Sequence, residues 1–136
     1  MATKAKIVHH WQLEVFQLAR EAAQQFFQLS KRFPKEETYS LTDQGRRSSR
    51  AVGAIIAEGW RRRKYEAAFV NKLNEAEGEA AETQAWVMHA VDCEYLTKSE
   101  GRELHRLYDR ILGKLVNMGN RPEPWLLRKT SNASEA

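Results

Sequence analysis

The sequence has few of the residues and segments that define specialised protein classes. It contains one cysteine, three prolines and seven glycines in 136 residues. These counts exclude a disulfide scaffold, a collagen-like chain and a low-complexity chain. No apolar run approaches the ~20 residues that span a bilayer, and the first ten residues lack the apolar stretch of a signal peptide. We therefore expect one soluble, cytoplasmic domain with no membrane partner.

The charge that is present is unevenly distributed along the chain. The formal net charge is +4. Positions 43–64 hold seven basic and two acidic residues, whereas positions 65–96 hold one basic and seven acidic residues. Two interpretations stay open: two helix faces that attract one another within a bundle, or a basic patch that faces an anionic partner.

Hydrophobic periodicity predicts four amphipathic helices, at about 10–33, 42–63, 65–95 and from Thr97 to about Met118. The third helix repeats apolar or small residues at an alternating spacing of four and three, which is typical of helices packed along their length. The positions are Phe69, Leu73, Ala76, Ala80, Thr83, Val87 and Ala90. Four such helices with short connections predict an all-α fold, an up-down-up-down antiparallel four-helix bundle.

The bundle is expected to occupy residues 10–120, between an N-terminal arm at 1–9 and a tail at 121–136 whose distal part is disordered. Proline at position 34 is expected to end the first helix at Phe33. Ser40 or Thr42 is the expected cap of the second helix, and Thr97 or Ser99 that of the fourth.

The first helix has an apolar arc that covers about half of its circumference, including Trp11, which exceeds what one helix contact requires. The surplus predicts a wider core or a second subunit. We therefore expect a homo-oligomer, in which burial of an aromatic ring contributes on the order of 1.5 to 3 kcal/mol. The expected interface residues are Phe16, Phe27, Trp60, Tyr65 and Trp86.

The run YSLTDQGRRSS from Tyr39, continued by VGAIIAEGW up to Trp60, resembles the signature of bacterial four-helix-bundle proteins encoded in intervening sequences of 23S ribosomal RNA. The resemblance extends over about residues 10 to 120. Two positions depart from the pattern, because Ile55 replaces a common asparagine and Ala51 a frequent serine. Further matches are Arg63 to Tyr65, Phe69, Lys72-Leu73, Glu82 to Gln84, Trp86 and Asp92 to Leu96.

This resemblance implies a ring-like homo-oligomer, which is a pentamer in some relatives, and it implies no catalytic site. A related branch, the accessory variability proteins of diversity-generating retroelements, binds a reverse transcriptase and nucleic acid through a basic surface. The resemblance therefore implies nucleic acid or a reverse transcriptase as a partner.

The residues themselves offer little for catalysis or metal binding. No Glu-x-x-His pair is present, so a carboxylate-bridged metal site is not expected, and we predict no cofactor and no enzymatic activity. Glu75, Glu79 and Glu82 share a helix face, which is more typical of ion pairing than of acid-base catalysis. Cys93 lacks an activating base that could be assigned.

The basic residues carry the functional hypothesis, because arginine forks bind phosphates and neighbouring aromatic rings can stack on unpaired bases. Trp60 and Tyr65 are the expected stacking surfaces. A structural explanation stays open, in which the cations complement the helix dipole and Glu58 pairs with Arg61 or Arg62. An alternative function is a protein-binding accessory subunit of a reverse transcriptase or other partner protein. The predicted nucleic-acid-binding residues are Arg46, Arg47, Arg50, Arg61, Arg62, Arg63 and Lys64.

Overall fold

The computed structural model describes residues 6–127, which form four α-helices and three short 3-10 turns. Each helix contacts its neighbours in sequence, and the first also contacts the fourth. The predicted up-down-up-down antiparallel bundle is confirmed. The helices are α1 (Glu14–Ser30), α2 (Leu41–Arg61), α3 (Glu66–Asp92) and α4 (Lys98–Asn120), and the 3-10 turns are His10–Gln12, Lys35–Glu37 and Glu123–Trp125.

The first helix is shorter at both ends than the periodicity predicts. A 3-10 turn precedes it, because the side-chain oxygen of Gln12 accepts hydrogen bonds from the Val8 and His9 amides and holds the chain in a separate turn. Trp11 lies in that turn with 54% of its surface exposed, so its assignment to the apolar stripe is wrong. At the other end α1 stops at Ser30, three residues before the predicted end, because the next three amides each donate to the carbonyl three residues back and the chain tightens before Pro34.

The hydrophobic core agrees closely with the predicted helix faces. All seven positions of the 4-3 repeat in α3 are buried. In α4 the predicted apolar positions are buried, except Leu112, which is half-buried. The largest fully enclosed side chains are Tyr108, Phe26 and Phe69. Periodicity therefore located the core correctly because α3 and α4 are each packed along one continuous face.

Two glycines permit close approach of neighbouring elements. A Cβ atom at Gly45 would collide with the Phe26 ring, and one at Gly101 would overlap the Val91 side chain. Both glycines are buried. The low helix propensity of Gly45 in α2 is thus compensated by the packing of a phenylalanine ring onto its backbone.

Of the predicted helix caps, the cap of α4 is formed by a side-chain hydrogen bond and the cap of α2 is not. Thr97 caps α4: its hydroxyl accepts from the Glu100 amide, and the Glu100 carboxylate accepts from the Thr97 amide. Ser40 occupies the cap position of α2, but its hydroxyl donates to Glu37 instead of capping the helix. The Glu37 carboxylate also accepts from the Tyr95 hydroxyl at 2.9 Å, so it links the two connections at this end of the bundle.

The alternating helix directions place the described ends of the chain together. The N-terminal arm, the turn between α2 and α3, and the segment after α4 all lie at one end of the bundle, which we name the terminal end. The other two connections lie at the opposite end. No helix within residues 6–127 combines the length and apolarity needed to cross a bilayer. The predicted disorder of the distal tail concerns residues 128–136, which lie outside the described part.

Candidate nucleic-acid interface

The seven predicted cations fall into different environments, and three of them form an exposed group at the terminal end. Arg61 is the last residue of α2, and Arg62 and Lys64 belong to the short turn before α3. All three side chains are exposed, and none forms an ion pair with a carboxylate of residues 6–127. We name Arg61, Arg62 and Lys64 the turn cluster.

Arg63 sits between these residues in sequence but turns into the protein. Its guanidinium carbon lies 3.5 Å from the centre of the Trp60 ring. Its Nε donates to the Trp60 carbonyl at 2.7 Å and one terminal nitrogen donates to the Trp125 carbonyl at 3.4 Å. Burial, followed by repulsion from Arg61, lowers the pKa of Arg63. Arg63 thus joins the tail to the α2–α3 turn, and it does not share the outward position predicted for it.

Trp60 is also placed differently from the prediction. Only 4% of its surface is exposed, and its Nε1 donates to the Val8 carbonyl at 2.9 Å. Its ring packs edge-on against that of Trp125, with centroids 6.3 Å apart. Because the ring is enclosed by the arm and the tail of its own chain, it is unavailable for base stacking or for a subunit contact, and the prediction for Trp60 is corrected.

Exposed rings are nevertheless present at the terminal end. Tyr65 follows the turn cluster and is 61% exposed, with the Lys64 ammonium 5.8 Å from its ring centre. Trp11 stacks on His9 with centroids 4.1 Å apart and an interplanar angle of 7°. Apolar periodicity did not predict that Trp11 is exposed. Gln12, whose side chain accepts hydrogen bonds from the amides just before Trp11, was a local signal for a separate turn.

Arg47 is neutralised by the acidic face of α3. Its terminal nitrogens contact the carboxylates of Glu79, at 3.4 Å, and Glu82. Glu82 also accepts a hydrogen bond from Nε1 of Trp86 at 3.2 Å. Arg47 therefore fits the structural interpretation, in which the basic second helix and the acidic third helix attract one another.

Lys72 organises a second ion pair between the same two helices. Its ammonium lies 3.1 Å from Glu58 and 3.4 Å from Glu75. These hydrogen bonds raise the pKa of Lys72, that to Glu58 being the largest influence. The expected pairing of Glu58 with Arg61 or Arg62 is therefore wrong, because Glu58 turns toward α3.

Arg46 and Arg50 lie one helical turn apart in the first half of α2, where they face α1. Their guanidinium carbons lie 4.7 and 5.4 Å from the centre of the Phe27 ring. The ammonium of Lys31 lies 5.0 Å from the same ring. We name Lys31, Arg46 and Arg50 the Phe27 cluster. About 22 Å of α2 separates its Arg46 from Arg61 of the turn cluster.

The remaining predicted interface rings are half-buried. Phe16 packs against Gly53, and His10 contacts it edge-on with centroids 4.8 Å apart. The ring centroids of Trp86 and His89 lie 5.9 Å apart. Phe27 is half-buried beneath its cations. Each ring thus keeps an accessible part on the single chain, and their role in subunit contacts stays a prediction.

No group of three metal-ligating side chains converges within residues 6–127. Cys93 is exposed and free at the end of α3. The site therefore consists of cations and aromatic rings, whose chemistry is the binding of anions and the stacking of planar groups.

The comparison with known families agrees with this architecture. Residues 11–117 match the family described as 23S rRNA-intervening sequence protein. The chain belongs to this family. The match covers all four helices except the last three residues of α4, so it includes nearly all of the bundle and the turn cluster.

A solved structure supports the fold of this 23S rRNA-intervening sequence protein. It is a protein of unknown function from Bacteroides thetaiotaomicron, assigned to the S23 ribosomal protein family. The two chains are 28% identical, the match covers 76% of this chain and 96% of the other, and the TM-score is 0.69. A search of curated proteins found no match.

Proposed function

We propose that this 23S rRNA-intervening sequence protein is a non-enzymatic homo-oligomeric scaffold that binds RNA or DNA through the turn cluster. The observation that supports nucleic-acid binding is the exposure of Arg61, Arg62 and Lys64 beside the exposed ring of Tyr65, with no described carboxylate to neutralise the cations. Cations that lack an acidic partner can exchange their counterions for phosphates, and the nearby ring offers a stacking surface.

A homo-oligomer strengthens this proposal because it repeats the turn cluster around a symmetric assembly. Weak sites on several subunits then act together on one polymer. The pentamer expected from the resemblance would present five clusters. Support for association comes from apolar surface that the single chain leaves accessible. Phe16 and Trp86 are half-buried, and Met88 on α3 is 59% exposed.

Fluorescence anisotropy with a labelled single-stranded RNA tests the nucleic-acid proposal. The variant replaces Arg61, Arg62 and Lys64 by glutamine and leaves Arg63 intact, because Arg63 holds the tail. We expect the slope of log affinity against log salt to fall in magnitude by about 2 per bound protomer, since each lost phosphate contact on a single strand contributes about 0.7.

A matched control removes three exposed cations elsewhere. Arg20, Lys98 and Arg106 are exposed and lie away from the α2–α3 turn. Their replacement by glutamine gives the same net charge as the turn-cluster variant. Equal weakening in both variants would show that total charge governs binding, and it would contradict the proposed site.

Size exclusion with light scattering tests the oligomer separately. A monomeric species at micromolar concentration would refute the scaffold, whereas a defined oligomer whose mass is unchanged in the turn-cluster variant would support it. The absorbance ratio of the same peak reports nucleic acid that co-purifies.

The second candidate is a protein-binding accessory subunit, for example of a reverse transcriptase. The same unpaired cations favour it, because they also suit an acidic protein surface. Co-purification of one protein partner after nuclease treatment, together with no binding of RNA or DNA, would favour this candidate over the first.

A further inference from the structure

The Phe27 cluster places three positive charges within 5.4 Å of one ring centre. The ring belongs to α1 and Lys31 directly follows that helix, while Arg46 and Arg50 reach the ring from α2. Within residues 6–127 no carboxylate lies within ion-pair distance of any of the three. The ring face attracts each cation, but it does not remove their mutual repulsion.

One of the three cations is held in place by a buried group. Nε of Arg46 donates to the hydroxyl of Ser30 at 2.8 Å, and Ser30 is only 2% exposed. The Ser30 hydroxyl in turn donates to the Phe27 carbonyl at 2.8 Å. Because Nε is occupied, the two terminal nitrogens of Arg46 are the groups that remain for an external acceptor, and their direction is fixed before any ligand arrives.

We propose that the Phe27 cluster is a phosphate-binding site. A phosphate group has enough negative charge and enough oxygens to contact two guanidinium groups and one ammonium group together. A single carboxylate has one charge and two oxygens, so it would leave one cation unmatched. The site uses the first half of α2, away from the turn cluster at the end of that helix, and it does not rest on the proposed function.

Isothermal titration calorimetry with inorganic pyrophosphate tests the site in the full chain, with sodium chloride at matched ionic strength as the reference titration. We expect saturable binding that weakens about tenfold in Arg50→Gln and in Lys31→Gln, since each removes one charge-assisted contact. Arg106→Gln is the matched control, because Arg106 is an exposed α4 cation outside the cluster.

The turn-cluster variant separates this proposal from the function proposed above. We expect it to bind pyrophosphate like the unaltered chain, even if it no longer binds RNA. The absence of saturable pyrophosphate binding by the unaltered chain would refute the phosphate site, and so would an equal loss in Arg106→Gln. Unchanged circular dichroism of Arg50→Gln and Lys31→Gln establishes that these variants are folded.

A competition experiment identifies the source of the phosphate. Displacement of pyrophosphate by a single-stranded oligonucleotide in the turn-cluster variant would support a nucleic-acid backbone as the natural ligand. Failure to displace it, with pyrophosphate binding retained, would support a free phosphate compound. Both results support the site, and they assign it to different ligands.

Discussion

The hydroxyl oxygens of Ser48 and Thr83 lie 2.8 Å apart and join α2 to α3 in the centre of the bundle. Thr83 also donates to the Glu79 carbonyl at 2.9 Å, so its hydrogen is already used. Tyr108 of α4 is completely buried, and its hydroxyl makes no hydrogen bond of good geometry with the described residues, although the nearby Thr83 hydroxyl opposes the effect of burial on the Tyr108 pKa. The packing of α2, α3 and α4 thus places a bonded pair of hydroxyls, on Ser48 and Thr83, in the same core as the unpaired hydroxyl of Tyr108.

Tyr108→Phe is expected to stabilise the protein by up to about 1 to 2 kcal/mol, because it removes a buried polar group that makes no hydrogen bond. Burial also raises the pKa of Tyr108, so the ring stays neutral in the folded protein. Chemical denaturation gives the free energy of unfolding of both proteins. A loss of stability comparable to that of a lost hydrogen bond would show that the hydroxyl is satisfied in solution.

Ser48→Ala is the comparison for that variant. It removes the Ser48 hydroxyl from the Thr83 oxygen while Thr83 keeps its bond to the Glu79 carbonyl, so we expect the free energy of unfolding to fall by about 1 kcal/mol. The two substitutions each remove one buried hydroxyl, yet they are expected to change stability in opposite directions.

Arg63→Gln is expected to loosen the tail from the α2–α3 turn. The variant loses the contact with the Trp60 ring and the hydrogen bond to Trp125, and we expect a loss of about 1 to 2 kcal/mol. Tryptophan fluorescence should shift toward that of exposed rings. Arg62→Gln, at an exposed site next to it, should change stability by less than about 0.5 kcal/mol. Identical effects would contradict the different environments of these two arginines.

Two glycines in helix interiors are expected to respond in opposite ways to alanine. Gly45→Ala should destabilise by about 1 to 3 kcal/mol, because the added methyl group collides with Phe26. Gly78→Ala should stabilise by about 0.5 to 1 kcal/mol, since Gly78 is exposed and a Cβ there meets nothing within 4 Å. Thermal unfolding at one pH measures both, and a stabilised Gly45→Ala would show that the ring can move away.

The Glu37–Tyr95 contact is expected to stabilise the fold only over a limited pH range. The hydrogen bond to Glu37, with burial second, raises the pKa of Tyr95 from 10 to about 12, so this stabilisation is lost as pH rises from about 10 to 12. Hydrogen bonds from Ser40 and then Tyr95 lower the pKa of Glu37 from its ordinary 4.5, so the stabilisation is also lost as pH falls below that value.

The Tyr95→Phe variant measures this dependence, because it keeps the ring packed near Phe33 and removes the hydroxyl. The difference in Tm from the unaltered chain should be constant between pH 4.5 and 10 and should shrink on either side. A difference that does not change with pH would mean that the hydrogen bond contributes nothing to stability.

Sequence periodicity predicted the bundle and nearly all of its core, since a helix buried along one face repeats its apolar residues at a fixed interval. It failed where the apolar character of a residue did not decide its position. Trp11 is exposed because the side-chain oxygen of the following glutamine accepts hydrogen bonds from two backbone amides and forms a separate turn. The predicted end of α1 was three residues too late because the chain tightens into three-residue turns after Ser30, which apolar periodicity does not distinguish from an α-helix.

The candidate site was predicted less well than the fold, because neighbouring cations in sequence diverge in space. Within the run from Arg61 to Lys64, Arg63 turns inward toward the Trp60 ring. Its hydrogen bond to Trp125 depends on a segment about 60 residues later in the sequence. The convergence of Lys31 with Arg46 and Arg50 likewise requires the packing of α1 against α2. Long-range packing of this kind leaves no periodic signal in the sequence.

Cys93, the one thiol in the sequence, is exposed on the side of the molecule remote from both described chain ends. A maleimide dye or biotin coupled there would keep its bulk away from Arg61, Arg62 and Lys64. The described ends of the chain, at residues 6 and 127, instead lie at the same end of the bundle as those residues. Immobilisation through this sulfur would therefore orient every molecule with the same surface toward an incoming ligand.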